Sequence, residues 1–161
     1  MEHVEQQKKR FTKAQARLKA ESFCAYQERC QQEMRDKLYF WGLHREEVEE
    51  VIADLITDNF LNEERFAMAY VSGKFNMKGW GKIKIKQGLK QKMISPRLID
   101  DALRHLDAEG YYEKLTLLLE KKAALLKETD AYKRKNKLAQ YAMGKGYEND
   151  LIFDVLNNNN L

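Results

Sequence analysis

The amino-acid sequence predicts an all-α protein built from three tandem three-helix repeats. Helix breakers are rare, with 1 Pro and 8 Gly among 161 residues, whereas residues that favour helices, such as Lys, Glu, Leu and Ala, are plentiful. A pattern of apolar residues also recurs three times along the chain, at intervals of about fifty residues. Because short helices bury little apolar surface alone, neighbouring units must cover one another's apolar faces.

The recurring pattern is counted from three residues, Gly42, Met93 and Gly146. Apolar residues follow each of them at offsets of about six, nine and ten positions. Further periodic segments, at 63–75 and 111–126, precede the second and third helix pairs, so each unit is predicted to hold three helices. The matching apolar residues are Val48, Val51 and Ile52, then Ile99, Ala102 and Leu103, then Ile152, Val155 and Leu156.

The segment 1–20 is polar and basic, with scattered apolar residues such as Phe11 and Leu18. We expect this extension to be either disordered or a weakly docked helix, outside the core. An amphipathic helical pattern then runs from Ser22 and ends at Gly42, a residue type that commonly terminates helices. The three repeats are predicted to span residues 21–58, 59–109 and 110–161.

Capping residues indicate where helices begin in the second repeat. Asn62 precedes Glu63 and Glu64, which places an N-cap side chain before carboxylates that suit the positive end of a helix. Ser95 and Pro96 form an N-cap and first-turn pair. Because adjacent residues on a helix point in different directions, we expect the paired glutamates to act in capping rather than in catalysis.

A run of cations without Asp or Glu occupies residues 74–97. Such a run favours binding to phosphates, which give affinity and salt dependence without reading sequence; a solvated charged face is the alternative. Ile85, Leu89 and Met93 form a four-spaced stripe that is predicted to be buried, with lysines along its flank. A shorter cluster at 133–137 is more typical of a solvated helix face. The candidate binding residues are Lys74, Lys78, Lys82, Lys84, Lys86, Lys90 and Arg97 in the run, and Lys133 and Arg134 in the shorter cluster.

The two glycines of the segment Gly79-Trp80-Gly81 permit a sharp turn, because glycine adopts backbone conformations that other residues avoid. A simple connector between two helices is the favoured interpretation. Trp80 has two interpretations. A position in the core is favoured, and the alternative is an aromatic ring that stacks on a nucleotide or a partner beside Lys78 and Lys82.

No catalytic or metal-binding constellation is recognisable. Cys24 and Cys30 have no nearby His and no second Cys pair at metal spacing, so we expect buried or idle thiols. Neither a Ser-His-Asp set nor a glycine-rich phosphate loop can be assembled, which predicts a protein that is not an enzyme and has no cofactor. No apolar run approaches the roughly 20 residues that cross a bilayer, and the first residues lack the apolar core of a signal peptide, so we expect a cytoplasmic protein without membrane contact.

Several segments resemble the RecX family. Residues 60–67, Phe-Leu-Asn-Glu-Glu-Arg-Phe-Ala, are similar to a signature in which Asn and an acidic residue precede Glu-Arg-Phe-Ala. Residues 81–94 resemble the family's pattern of glycine, basic residue, Ile, Leu and Lys-Gly-Ile, and residues 137–147 resemble its closing Lys-Leu to Gly-Phe segment. Met93 stands where the family usually has Gly, and Gly88 where it usually has an acidic residue. The motif residues are Asn62, Glu63, Arg65, Phe66 and Gly81.

The resemblance covers residues 38–156 and implies three tandem three-helix units in a curved, elongated, right-handed or arc-like array. It implies a regulator that binds the filament of the RecA recombinase on single-stranded DNA, usually inhibiting ATP hydrolysis, strand exchange and repressor cleavage in DNA repair and the SOS response. Any metal or nucleotide would belong to RecA, and we expect a monomer. From the residues alone, a general single-stranded nucleic-acid-binding protein and a helical-repeat scaffold for an acidic protein segment remain open.

Overall fold

A computed structural model describes residues 10–161, and within that range the chain consists of helices and their connecting turns, without a β-strand. The all-α prediction is therefore confirmed. The chain divides into two compact units, one ending at Phe66 and the other running from Ala67 to Leu161. None of the helices in the described range is long and apolar enough to cross a membrane. In chain order, the helices are α1 Lys13–Tyr26, α2 Gln31–Phe40, α3 Arg45–Thr57, α4 Glu63–Lys78, α5 Lys82–Gln91, α6 Pro96–Arg104, α7 Ala108–Leu125, α8 Ala131–Gly144 and α9 Asn149–Asn158.

The same backbone turn joins the last two helices of each repeat. Gly42, Met93 and Gly146 have φ angles of 90°, 62° and 94°, all in the left-handed region. After each of them, an N–H donates to the carbonyl five residues earlier, the bond that commonly closes a helix C-terminus. These bonds are Leu43 to Leu38, Ile94 to Leu89 and Tyr147 to Ala142, each 3.2 Å. The predicted apolar residues of the three repeats are buried, except for the half-buried Leu156. The register of the repeat is thus confirmed.

The first repeat begins earlier than the sequence predicted. The Thr12 hydroxyl accepts the Gln15 N–H at 3.2 Å, and the Gln15 side chain accepts the Thr12 N–H at 3.0 Å, so a capping box starts α1. Ala16 and Ala20 on this helix are fully buried. The expectation of an extension outside the core is therefore wrong from α1 onward, whereas residues 1–9 lie outside the described range. Alanines contribute only a weak apolar signal, which hid the buried face of this helix.

The amphipathic stretch that starts at Ser22 contains a break between α1 and α2. Cys30 is the N-cap of α2: its N–H donates to the Glu33 carboxylate at 3.2 Å, and the Glu33 N–H donates to Cys30 Sγ at 3.5 Å. Cysteine is not among the usual N-cap residues, so the sequence offered no marker for this helix start. Both cysteines are buried free thiols, as predicted. Burial raises the pKa of Cys24 to about 11, which keeps that thiol protonated and unreactive.

Each unit has an apolar core of its own. In the first unit, Met34, Leu38 and Leu55 are fully buried together with the small residues of α1. In the second unit, the equivalent cluster includes Leu115 and Leu119 of α7 and lies against α8 and α9. Full burial of such a side chain stabilises the fold by about 1.5–3 kcal/mol. These cores hold in place the helices that carry the charged and aromatic side chains of the surface.

Candidate binding surface

The cations of residues 74–97, here called the basic segment, are carried by the end of α4, by α5 and by the start of α6. Among the described residues, six of its seven candidates have no Asp or Glu oxygen within 4.0 Å. The exception is Lys86, whose ammonium lies 3.8 Å from Asp100. The six unpaired cations are Lys74, Lys78, Lys82, Lys84, Lys90 and Arg97.

In the first unit, by contrast, arginines form ion pairs with carboxylates. Arg17 bonds Asp54 at 2.8 Å and Asp58 at 2.6 Å, and Arg35 bonds Glu49 at 2.9 Å. The two units also differ in charge: residues 1–66 carry 11 Lys and Arg against 14 Asp and Glu, net −3, whereas residues 67–161 carry 18 against 11, net +7. The positive charge of the chain is therefore concentrated in the second unit, and among the described residues six of the seven candidate cations of the basic segment have no carboxylate partner.

Gly79, Trp80 and Gly81 connect α4 to α5, so the favoured interpretation of a connector between two helices is confirmed. Gly79 has a φ of 67°, the left-handed region that favours glycine. The Trp80 N–H donates to the carbonyl of Lys74 at 3.1 Å, which closes the end of α4. The backbone on either side of Trp80 is therefore fixed by the turn itself.

Residues of the third repeat form hydrogen bonds to the turn that contains Trp80. Tyr147 Oη donates to the Gly79 carbonyl at 3.0 Å, and the Gly81 N–H donates to the Lys145 carbonyl at 2.8 Å. A β-carbon on Gly81 would lie 2.4 Å from the carbonyl oxygen of Gly146, so only glycine permits this approach. The turn between α4 and α5 is thus packed against the turn between α8 and α9.

A buried tyrosine caps the start of α5. Tyr111 Oη accepts the Lys82 N–H at 2.9 Å and donates to Glu148 at 2.6 Å, while the Lys82 ammonium lies 4.8 Å from the centre of the Tyr111 ring. Burial, together with the bond to Glu148, raises the pKa of Tyr111 far above its ordinary value, so the hydroxyl stays protonated. Sequence reasoning missed Tyr111, Lys145 and Tyr147, because their partners lie tens of residues away in the chain.

Trp80 is half-buried, so the favoured prediction of a core position is wrong. The ammonium groups of Lys74 and Lys84 lie 4.8 Å and 4.6 Å from the centre of its ring. Lys74 also lies 5.4 Å from the centre of the Tyr70 ring. Two cations of the basic segment are therefore gathered around one aromatic side chain.

The stripe predicted on α5 is confirmed in part. Ile85 and Leu89 are fully buried, whereas Met93 is 73% exposed. Met93 lies beyond the end of α5 in the left-handed turn, so the chain has left the helical path that would have carried its side chain to the core. The lysines beside the stripe retain at least partial solvent contact.

The shorter cluster at 133–137 is largely bound to the protein's own groups. The guanidinium of Arg134 donates to main-chain carbonyls of Ala123, Leu126, Glu128 and Leu161. Lys135 and Lys137 contact the side chains of Asn157 and Glu128 at 2.7 and 2.9 Å, and Lys133 is exposed. Arg134 therefore has a structural role, and Lys133 is the remaining candidate for contact with a partner.

The motif residues join the elements of the first unit. Asn62 accepts the Arg65 N–H at 2.9 Å, which confirms its N-cap role in α4. Glu63, in the first turn of α4, also accepts the Gln31 N–H at 3.2 Å and so caps α2 as well. Arg65 bonds Glu28 at 2.5 Å and the carbonyls of the turn after α3, and Phe66 is buried. These residues support the fold rather than a chemical site.

The described residues contain no cluster of side chains suited to binding a metal ion. Across residues 10–161, no group of three or more His, Cys, Asp or Glu side chains lies close enough together to hold a metal ion. What the arrangement offers is cationic and aromatic contact, which is suited to binding a polyanion.

Comparison with known proteins identifies all three repeats. The first, second and third three-helix domains of RecX match residues 16–55, 62–103 and 109–156. The regulatory protein RecX of Clostridium acetobutylicum is 34% identical over 145 residues, which cover 88% of this chain and 67% of that protein. The RecX of Clostridium botulinum strain Eklund 17B is 34% identical over 128 residues, and the match covers 78% of this chain but 59% of the length of that relative.

Solved structures agree. The crystal structure of RecX from Lactobacillus salivarius superposes with a TM-score of 0.81 at 27% identity, covering 91% of this chain and 95% of that one. A second crystal structure of a regulatory protein RecX gives a TM-score of 0.79 at 25% identity, covering 91% and 74%. The predicted three-helix repeats and the resemblance are both confirmed, and the chain belongs to the RecX family of regulatory proteins.

Proposed function

We propose that this chain regulates the RecA recombinase by binding its filament on single-stranded DNA, and that the main effect is inhibition of ATP hydrolysis, strand exchange and repressor cleavage. The observation that carries the proposal is the basic segment: among the described residues, six of its seven candidate cations have no carboxylate within 4.0 Å, and the unit that contains them has a net charge of +7. Membership of a family of regulatory proteins supports it. We further propose that the protein acts as a cytoplasmic monomer.

The proposed mechanism needs binding alone. Lysine and arginine that neutralise phosphates release counterions, so the basic segment would supply affinity that falls steeply with salt and does not depend on base sequence. A chain seated on the filament would impede addition of further RecA subunits or favour their loss. No bond is made or broken by this protein, and nucleotide and metal belong to RecA.

The first experiment measures ATP hydrolysis by the cognate RecA on single-stranded DNA, with this protein titrated from well below to equal stoichiometry. Inhibition at substoichiometric amounts is expected if the protein acts on filament growth or disassembly, because one bound molecule then affects many subunits. An ATPase rate that is unchanged even at equal stoichiometry would refute the proposal.

Charge reversal tests the role of the basic segment. Lys78 and Lys90 are exposed and unpaired, so K78E/K90E should fold normally but bind RecA-coated DNA more weakly, with the slope of log affinity against log salt reduced by roughly one per lost contact. The control K121E/K127E makes the same charge change at exposed positions of the same unit. An equal loss in both variants would show that net charge, rather than the basic segment, drives binding.

A general single-stranded nucleic-acid-binding protein is the second candidate, because the same basic segment supports it. It predicts similar affinity for bare and for RecA-coated strands, whereas a filament regulator should prefer the coated form. A scaffold for acidic protein segments predicts, instead, that nucleic acid competes poorly. Fluorescence anisotropy with the two forms of one labelled oligonucleotide separates the three.

A further inference from the structure

Trp80 is a large aromatic side chain that the fold leaves only partly buried, close to two lysines. The ring is half-buried, and the ammonium groups of Lys74 and Lys84 lie 4.8 and 4.6 Å from its centre. Within the described range, neither ammonium has a carboxylate within 4.0 Å. Both cations therefore lie close to the indole ring without a carboxylate partner among the described residues.

The backbone that carries Trp80 is held on both sides. Its own N–H closes the end of α4, the Gly79 carbonyl accepts the Tyr147 hydroxyl at 3.0 Å, and the Gly81 N–H bonds the Lys145 carbonyl at 2.8 Å. The contact of Gly81 with the α8–α9 turn leaves no room for a side chain. The backbone that carries the Trp80 ring is therefore fixed, so little backbone conformational entropy is lost when a partner contacts the ring.

Stacking of a base on the Trp80 ring is stronger than the contact of a lysine ammonium with that ring. An ammonium over an exposed aromatic ring gains only about 2- to 5-fold in its equilibrium constant. A base stacked on an aromatic side chain is worth about 5- to 150-fold in affinity, and each phosphate contact releases counterions in addition. A strand that offers both a base and its flanking phosphates can therefore displace the lysines from the ring and engage all three side chains.

We propose that Trp80, Lys74 and Lys84 form a stacking site for one base of single-stranded DNA, with the indole against the base and the two ammonium groups on the flanking phosphates. The inference rests on the proposed function in that the strand is the one within the filament, but it concerns direct contact with DNA. Because every base has a π-face, the site accepts any sequence. Bases of a duplex are already stacked, so the site should discriminate against double-stranded DNA.

Intrinsic fluorescence can observe this site directly. The chain has two tryptophans, and W41F leaves Trp80 as the only one. Trp41 is half-buried in the first unit and packs edge-on against the rings of Phe11 and Phe23, so phenylalanine preserves an aromatic side chain there. Titration of W41F with a short thymine oligonucleotide at low salt, without RecA, should quench Trp80 emission saturably. The matching duplex should quench it far less.

Affinity measurements then test the ring and the lysines separately. W80L keeps apolar volume but removes the ring, and should weaken oligonucleotide binding by about 5- to 150-fold, whereas W80F should lose less. K74Q/K84Q, which removes both ammonium groups, should reduce the salt dependence of binding. Thermal unfolding of each variant, with K121Q/K127Q as the charge-matched control, separates these effects from damage to the fold.

Several outcomes would overturn the stacking site. They are binding of W41F to the oligonucleotide without quenching of Trp80, an unchanged affinity in W80L, and no binding at low salt. Inhibition of the RecA ATPase distinguishes this failure from failure of the proposed function. If W80L still inhibits and no quenching occurs, the regulator stands without the stacking site; if quenching occurs but RecA is unaffected, the stacking site stands on a protein with another role.

Discussion

The guanidinium of Arg134 binds main-chain carbonyl groups from several segments of the second unit. Its Nε donates to the Leu161 carbonyl at 2.5 Å, its Nη1 to the carbonyls of Leu126 and Glu128 at 3.1 and 3.2 Å, and its Nη2 to the carbonyl of Ala123 at 2.7 Å. Four of the five N–H groups of a guanidinium are thereby used. One side chain thus secures the C-terminal end of α7 and the segments after α7 and α9.

Removal of Arg134 should destabilise the second unit. Hydrogen bonds of a charged donor contribute about 1.5–3 kcal/mol each, but such bonds are not additive. The site is also half-buried, so water replaces part of what is lost. We therefore expect R134A to lower the free energy of unfolding by about 2–3 kcal/mol, close to the value for one or two of the bonds. R134K should recover less than half, because an ammonium cannot reach four carbonyls in different directions.

Urea unfolding followed by Trp80 fluorescence in a W41F background reports on the second unit. With a slope of about 1–3 kcal/mol per molar urea, the midpoint of R134A should fall by roughly 1 M or more. The exposed neighbour Lys133 provides the control, and K133A should leave the midpoint unchanged. The reasoning fails if the free energy of unfolding of R134A lies within about 0.5 kcal/mol of the parent value, or if R134K is as stable as the parent.

Further predictions concern variants at Met93, Gly146, Glu63 and Gly88. Met93 is exposed and has a left-handed backbone conformation, so M93G should raise the free energy of unfolding by about 0.5–1 kcal/mol. In G146A the new β-carbon would lie 2.3 Å from a side chain of α5, so this variant should have a lower free energy of unfolding. Thermal unfolding measures both effects. Burial raises the pKa of Glu63, so the parent loses stability as pH rises through that pKa; the stability of E63Q relative to the parent should therefore increase between about pH 4 and 7, and a constant difference would contradict the assignment. In G88A the new β-carbon would lie 2.0 Å from Tyr70 Oη, so a double-mutant cycle with Y70F should show a smaller loss in the double variant than the two single losses add up to.

The repeat was predictable because it rests on local chemistry. Left-handed turns and the apolar residues at fixed offsets after them recur at Gly42, Met93 and Gly146, and short-range hydrogen bonds build each one. The caps Asn62 and Ser95 were predictable for the same reason, since each side chain bonds an N–H three residues away. Such contacts depend on spacing along the chain, which the sequence displays.

The errors arose where weak or unusual residues carry the structure. The buried face of α1 is made of Ala16 and Ala20, whose small side chains resemble neither a core nor a surface pattern. The start of α2 uses Cys30 as its cap, a residue that rarely signals a helix terminus. Met93 continues the spacing of the α5 stripe, yet the turn carries it out to solvent.

By itself, the sequence determined the helical class, the three-fold repeat, the family and the concentration of positive charge in residues 74–97, because composition, spacing and charge are properties of the chain. Only the tertiary structure decided which cations are free. It showed Arg134 bound to four carbonyls, Lys86 beside Asp100, and Lys74 and Lys84 around Trp80. The physical reason is distance: a side chain's partners are set by residues that the fold brings within a few ångströms from far along the chain.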